Sequence, residues 1–249
     1  MSVRRLPAQV FAAVLLSVSL AACGAPADKP GDAKPSTPAG SASPTPTSAP
    51  PPAAGGDASG AGTPLAEAIK QIPVAAEDRT GYKRDSFKHW IDEDKDSCDT
   101  REEVLIAEAV KAPEQGAGCK ISGGSWTSYY DEVVVTEAGG LDIDHVVPLA
   151  EAWDSGASAW TAERRQRYAN DLGFARSLVA VTAKTNRAKG DKDPSAWMPP
   201  AASAQCTYLA DWVAVKLRWK LAADTDEVTA LTRHAAGCAS TTVAYQVAP

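Results

Sequence analysis

The rhythm of apolar and polar positions divides the 249-residue chain into unlike stretches. A largely apolar run, "VFAAVLLSVSLAA" (residues 10–22), follows Arg4 and Arg5 and is too short to span a bilayer comfortably. From Gly24 to Gly62 no apolar period survives, because Pro, Gly, Ser, Thr and Ala dominate. Periodicity returns at Thr63. "LAEAIKQI" (65–72) reads as a short helix, and a helix beginning at Thr100 has that threonine as N-cap, with Glu103 completing a capping box. "CKISGGSWTSYYDEVVVTEAGG" (119–140) alternates and turns like short β-strands, broken at Gly123-Gly124 and Gly139-Gly140. "LDIDHVVPL" (141–149) is a strand closed by Pro148, "SAWTAERRQRYANDL" (158–172) a helix, and "SLVAVT" (177–182) a short buried strand. "AKTNRAKGD" (183–191) begins a helix that Pro194 limits. In "CTYLADWVAVKLRWKLAA" (206–223), Trp212, Val215 and Trp219 share one helical face, which predicts packing.

These stretches predict three regions. Residues 1–22 form an export signal ending in "LAAC", a lipobox-like sequence that would make Cys23 the lipidated first residue and anchor the chain to the outer face of a bacterial membrane. Residues 23–62 form a tether too poor in apolar groups to offset the entropy of ordering itself. Residues 63–249 are one domain's worth of chain, rich enough in Trp, Val, Leu and Ala to bury a core. In an exported protein the four cysteines of that region, Cys98, Cys119, Cys206 and Cys238, read as two disulfides, and no paired Cys/His spacing favours zinc. Local pairing, Cys98 with Cys119 and Cys206 with Cys238, is the expectation, though the spacing leaves all three connectivities open.

Net charge is −6, which argues weakly against a nucleic-acid coat protein. Locally the sign reverses: residues 161–192 carry eight basic side chains against three acidic ones. That basic zone lies beside His145, one of only three histidines. Hydrolysis of a phosphodiester needs a deprotonated water, a cation against the phosphate oxygens, and positive groups that hold the backbone. Asp144 and Asn186 offer the hard oxygens that suit Mg²⁺, with Mn²⁺ as the alternative. His145 is the candidate general base, provided its other ring nitrogen is held. Arg187 and Lys189 are candidate phosphate clamps. Neighbouring strand residues face opposite ways, so Asp144 and His145 meet one phosphate only where the strand end is twisted or irregular.

"DIDHVVPLAEAW", with "RRQRYANDL", "LVAV" and "NRAKGDKDPSAWMPP" downstream and "GYKRDSFKHWIDEDKDSCDTREEVL" upstream, resembles secreted bacterial nucleases of the HNH superfamily, in their GmrSD-like branch. The resemblance spans most of residues 80–232 and implies an α+β fold: a ββα-metal core with an inserted helix and flanking helices. It implies that Asp144 and Asn186 bind a metal ion and that His145 activates water. The middle motif position falls near Ser177, with Asn170 as the other candidate for the brace. The implied activity is metal-dependent endonucleolytic cleavage of DNA, with RNA also open, at the cell exterior. Two rival classes stand beside it. One is a noncatalytic DNA-binding lipoprotein, which would need the basic zone and not His145; the other is a cell-wall or small-ligand binder, which would need neither.

The acidic stretch "DEDKDSCDTREE" (92–103) sets Asp92, Asp94, Asp96 and Glu103 at positions 1, 3, 5 and 12 of a calcium loop. Ser97 stands at the turn-glycine position, so a solvated acidic loop competes with a structural Ca²⁺ site. Trp153, Trp160 and Trp197 are expected to pack, with base stacking as the other use.

Overall fold

The computed structural model describes residues 62–249. The expected signal, Cys23 and all of the expected tether except Gly62 lie outside the described residues.

The chain's longest ladder joins β6 (Leu141–His145) to β7 (Leu178–Thr182), antiparallel, with Leu141 opposite Thr182 and His145 opposite Leu178. Alternation along β6 sends Leu141 and Ile143 into a small cluster with Leu178, Ala180, Leu105 and Trp126. It turns Asp142 and Asp144 to the other side. β7 reads as a continuous apolar run because both its faces are covered, with Val179 and Val181 entering the larger core. Its last residue, Thr182, caps α5 (Ala183–Lys189), whose Thr185 N–H donates to the threonine hydroxyl. α5 packs back on both strands. The two strands and the final helix follow in the expected order, but the insertion holds two helices where one was expected, α3 (Leu149–Asp154) and α4 (Ala162–Ala169), because Pro148 opens a new helix directly after β6.

Around this unit lie α1 (Leu65–Ile69), α2 (Thr100–Ala107) and two ladders of two-residue strands. β2 (Glu114–Gln115) pairs with β3 (Ile121–Ser122), and β4 (Trp126–Thr127) pairs with β5 (Val134–Val135). The N-cap of α2 differs from expectation: Asp99 accepts from the N–H groups of Arg101 and Glu102. Thr100 is the first helical residue, and its hydroxyl donates to Ile91 O and Asn170 Oδ1. A carboxylate one residue earlier outcompetes the hydroxyl, which then serves a tertiary contact.

The larger core gathers on α6 (Ala202–Trp219). Trp212, Val215 and Trp219 are buried as expected, yet burial extends round the helix from Tyr208 onward because α1, α7 (Thr225–Ala235) and the pair of β1 (Thr63–Pro64) with β8 (Thr242–Val243) enclose it. Trp153, Trp160 and Trp197 pack against the same core. Both local disulfides form, Cys98–Cys119 and Cys206–Cys238.

Candidate functional site

Asp144, His145, Asn186 and Arg187 border one cavity of about 230 Å³, together with Arg84, Pro148 and Asp191. β6 supplies the first pair and α5 the second. Asp144 faces α5 by strand alternation. His145 belongs by parity to the Leu141 and Ile143 side, but β6 ends there and Val146 turns to donate to Ser177 O, so both residues reach the cavity.

The Asp144 carboxylate is held at one oxygen. Oδ2 accepts from Tyr130 Oη and from Lys189 Nζ, each at 2.6 Å, while Oδ1 takes no hydrogen bond among the described residues. Burial raises its pKa above the usual carboxylate range, against the pull of the Lys189 ammonium, and burial lowers the Lys189 ammonium in turn.

His145 is held on the side away from its lone pair. Its Nε2 lies 2.9 Å from Ala169 O, and since a carbonyl only accepts, the proton sits on Nε2 and Nδ1 keeps its lone pair. Tyr168 stacks at 6.3 Å and Trp90 lies tilted at 5.7 Å between ring centroids. Enclosure by these rings pushes the imidazole pKa down to about 3, so the ring is neutral across the physiological range.

α5 divides its polar residues. Asn186 Nδ2 donates to Asp142 Oδ2 at 3.1 Å, which turns the amide oxygen away from Asp142. Arg187 is exposed at the cavity. Lys189 departs from the expectation of a phosphate clamp: it is fully buried, and its Nζ donates to Asp144 Oδ2 and to His145 O at 3.0 Å. Two residues beyond Arg187, a helical side chain has rotated well round the axis, here into the core.

Asn170 sits outside the cavity, and none of its hydrogen-bond partners lines it. Its amide accepts from Ile91 N–H and the Thr100 hydroxyl, and donates to Lys88 O and Gln166 O. It is a brace that ties the segment before α2 to the end of α4, next to the carbonyl that holds His145. Ser177, the other candidate, donates to Asp171 Oδ2 in a buried group with Arg218 and Trp219.

The basic zone is not a continuous face. Arg164 and Arg165 donate to backbone carbonyls, Arg176 pairs with Asp211, and Lys189 is buried. Of that zone only Arg187 borders the cavity. Two site residues escaped the sequence reading: Tyr130, which no pattern marks, and Arg84, whose "GYKRDSF" block was visible only through the resemblance.

Hard oxygens on Asp144 and Asn186 at one cavity fit a hard divalent cation, with water and phosphate to complete its shell. In the acidic loop the carboxylates of Asp92, Asp94 and Asp96 come within 4.8 Å of one another, so they also can hold a metal ion. Glu103 lies close enough that their charge, after burial, raises its pKa. Cys98, which lies with Asp96 and Glu103 in a second such group, is taken up by its disulfide.

Residues 86–234 match the family model described as GmrSD restriction endonucleases, C-terminal domain. A relative from Arthroderma benhamiae, described as an uncharacterized secreted protein, is 46% identical over 152 residues, 61% of this chain and 73% of that one. No solved structure matches the chain significantly.

Proposed function

This chain belongs to the family of GmrSD restriction endonuclease C-terminal domains, and from that premise we propose that it is a metal-dependent endonuclease. It hydrolyses phosphodiester bonds, chiefly in DNA and with little sequence specificity, outside the cytoplasm. The observation that carries this reading is the meeting of Asp144, His145, Asn186 and Arg187 at one cavity from segments about 40 residues apart.

In this reading β6, β7 and α5 form the ββα-metal core. Asp144 Oδ1 and the Asn186 amide oxygen would hold a divalent cation, Mg²⁺ above all, which when bound supplies positive charge against the phosphate oxygens. His145 Nδ1 takes the proton of the attacking water, and the Ala169 carbonyl keeps the ring in the required tautomer. A ring of low pKa is a weak base, and it is neutral, with Nδ1 open to a proton, across the physiological range. Arg187 holds phosphate. The acidic loop is the place for a structural Ca²⁺. Export rests on the apolar run before "LAAC" and on the secreted relative; lipidation of Cys23 rests on "LAAC" alone.

The test is plasmid cleavage by the chain with its disulfides formed, in Mg²⁺ and in EDTA, beside His145→Ala and Asp144→Ala. Nicking should require Mg²⁺, fall by at least about a hundredfold in His145→Ala, and need more Mg²⁺ in Asp144→Ala. A His145→Ala protein as active as the parent would remove the base assignment. Salt-sensitive DNA binding without nicking would make the chain a binding protein.

A further inference from the structure

The arginines of the described residues sort by what they hold. Arg79, Arg176 and Arg218 pair with Asp154, Asp211 and Asp171. Arg101, Arg164 and Arg165 donate to backbone carbonyls of neighbouring segments. These six have structural duties within the fold, Arg167 donates to Pro249 O, and Arg233 lies against His234 away from the cavity. Arg84 and Arg187 have neither a carboxylate partner nor a carbonyl acceptor among the described residues, and both are exposed at the cavity that Asp144 and His145 share.

Two uncompensated guanidinium groups at one concave site attract an anion. They come from unrelated places, Arg84 from the loop before α2 and Arg187 from α5, while the two carboxylates of the lining have cations of their own, Asp144 with Lys189 and Asp191 with Arg79 at 3.7 Å. The exposed guanidinium forks match a phosphate group. No Phe, Tyr or Trp lines the cavity for a base to stack on.

We propose that Arg84 is a second phosphate clamp, binding the backbone of the substrate strand at the cleavage cavity beside Arg187. This rests on the nuclease reading for its substrate. It adds that the strand is gripped from a segment outside the two strands and α5, and that the grip is on the phosphodiester backbone without base contact, which is the physical source of low sequence specificity.

The experiment measures binding of a short fluorescein-labelled DNA strand to the full chain by anisotropy in EDTA, across a salt series, for the parent, Arg84→Ala, Arg84→Lys and Arg187→Ala. A methylphosphonate strand of the same sequence serves as the uncharged control. Arg84→Ala should weaken binding about tenfold, reduce the slope of log affinity against log salt by about one, and leave thermal stability unchanged, since the side chain is exposed. Arg84→Lys should restore the slope, and the uncharged strand should bind parent and Arg84→Ala alike. Unchanged affinity in Arg84→Ala, or weaker binding with an unchanged slope, would overturn the assignment. Plasmid cleavage by the parent separates the two ideas. Binding that depends on Arg84 without Mg²⁺-dependent nicking would sink the nuclease reading alone; nicking that depends on His145 with no effect of Arg84→Ala would sink this inference alone.

Discussion

Arg187 and Lys189 are two residues apart on one helix, carry the same charge, and have opposite fates. Arg187 stands in solvent at the cavity, whereas Lys189 is sealed against Asp144, the His145 carbonyl and the Tyr130 ring. Arg187→Ala should therefore leave the unfolding midpoint where it is and weaken DNA binding. Lys189→Met should destabilise by about 3–5 kcal/mol, because it strands the Asp144 carboxylate without its partner in a buried place. Urea unfolding of both variants checks the contrast, and equal midpoints would mean that Lys189 does not stabilise as its burial requires. "TNRAKGD" showed that charge gathers on this helix, but spacing alone does not say which of two lysine-like positions meets water. Asp144 and His145 were legible because adjacent residue types carried them. Arg84 and the Asn170 contacts were not, since Asn170 reaches Ile91 across 79 residues and Lys88 across 82. Partners that distant leave no local period to read.

At the scale of elements, the strands and helices whose apolar rhythm is strong were legible, and the contacts that finish them were not. β7 illustrates this. Its apolar run marks a buried strand, yet its second edge is closed by groups from elsewhere: Ser128 Oγ accepts from Thr182 N–H, and Glu108 Oε2 accepts from Ala180 N–H at 2.7 Å. Burial beside the strand raises the Glu108 pKa from 4.5 to about 7, with the Ala180 hydrogen bond opposing. Because the folded pKa is the higher one, this group's contribution is fully present below about pH 4.5 and is lost as pH rises through about 7. The loss is on the order of 3 kcal/mol. Glu108→Gln keeps an oxygen for Ala180 and cannot ionise, so it should lose less stability than the parent between pH 5 and pH 8. Denaturant midpoints at those two values decide it; parallel losses would mean that Glu108 ionises freely in the folded protein.

The whole domain is closed by two covalent loops that serve different parts of it. Cys206–Cys238 spans 32 residues and ties the start of α6 to the chain beyond α7; neither sulfur borders the cavity. Cys98–Cys119 spans 21 residues and holds the acidic loop, which runs between the two points, Ile91 and Thr100, that Asn170 grips. Asn170 in turn follows Ala169, whose carbonyl sets the His145 ring. Chain entropy assigns the two bridges similar worth, roughly 3–4 kcal/mol each. Their effect on function should nevertheless differ. Replacing Cys206 and Cys238 by serine lowers the unfolding free energy and leaves nicking unchanged below the melting range. Replacing Cys98 and Cys119 by serine lowers it similarly and also slows nicking, because the freed loop loosens the brace behind the general base. Unfolding curves and nicking rates of the two double variants at one temperature, well below both transitions, separate stability from positioning. Equal nicking by both would show that Asn170 holds the loop without help from its disulfide, and would break the link from the acidic loop to His145.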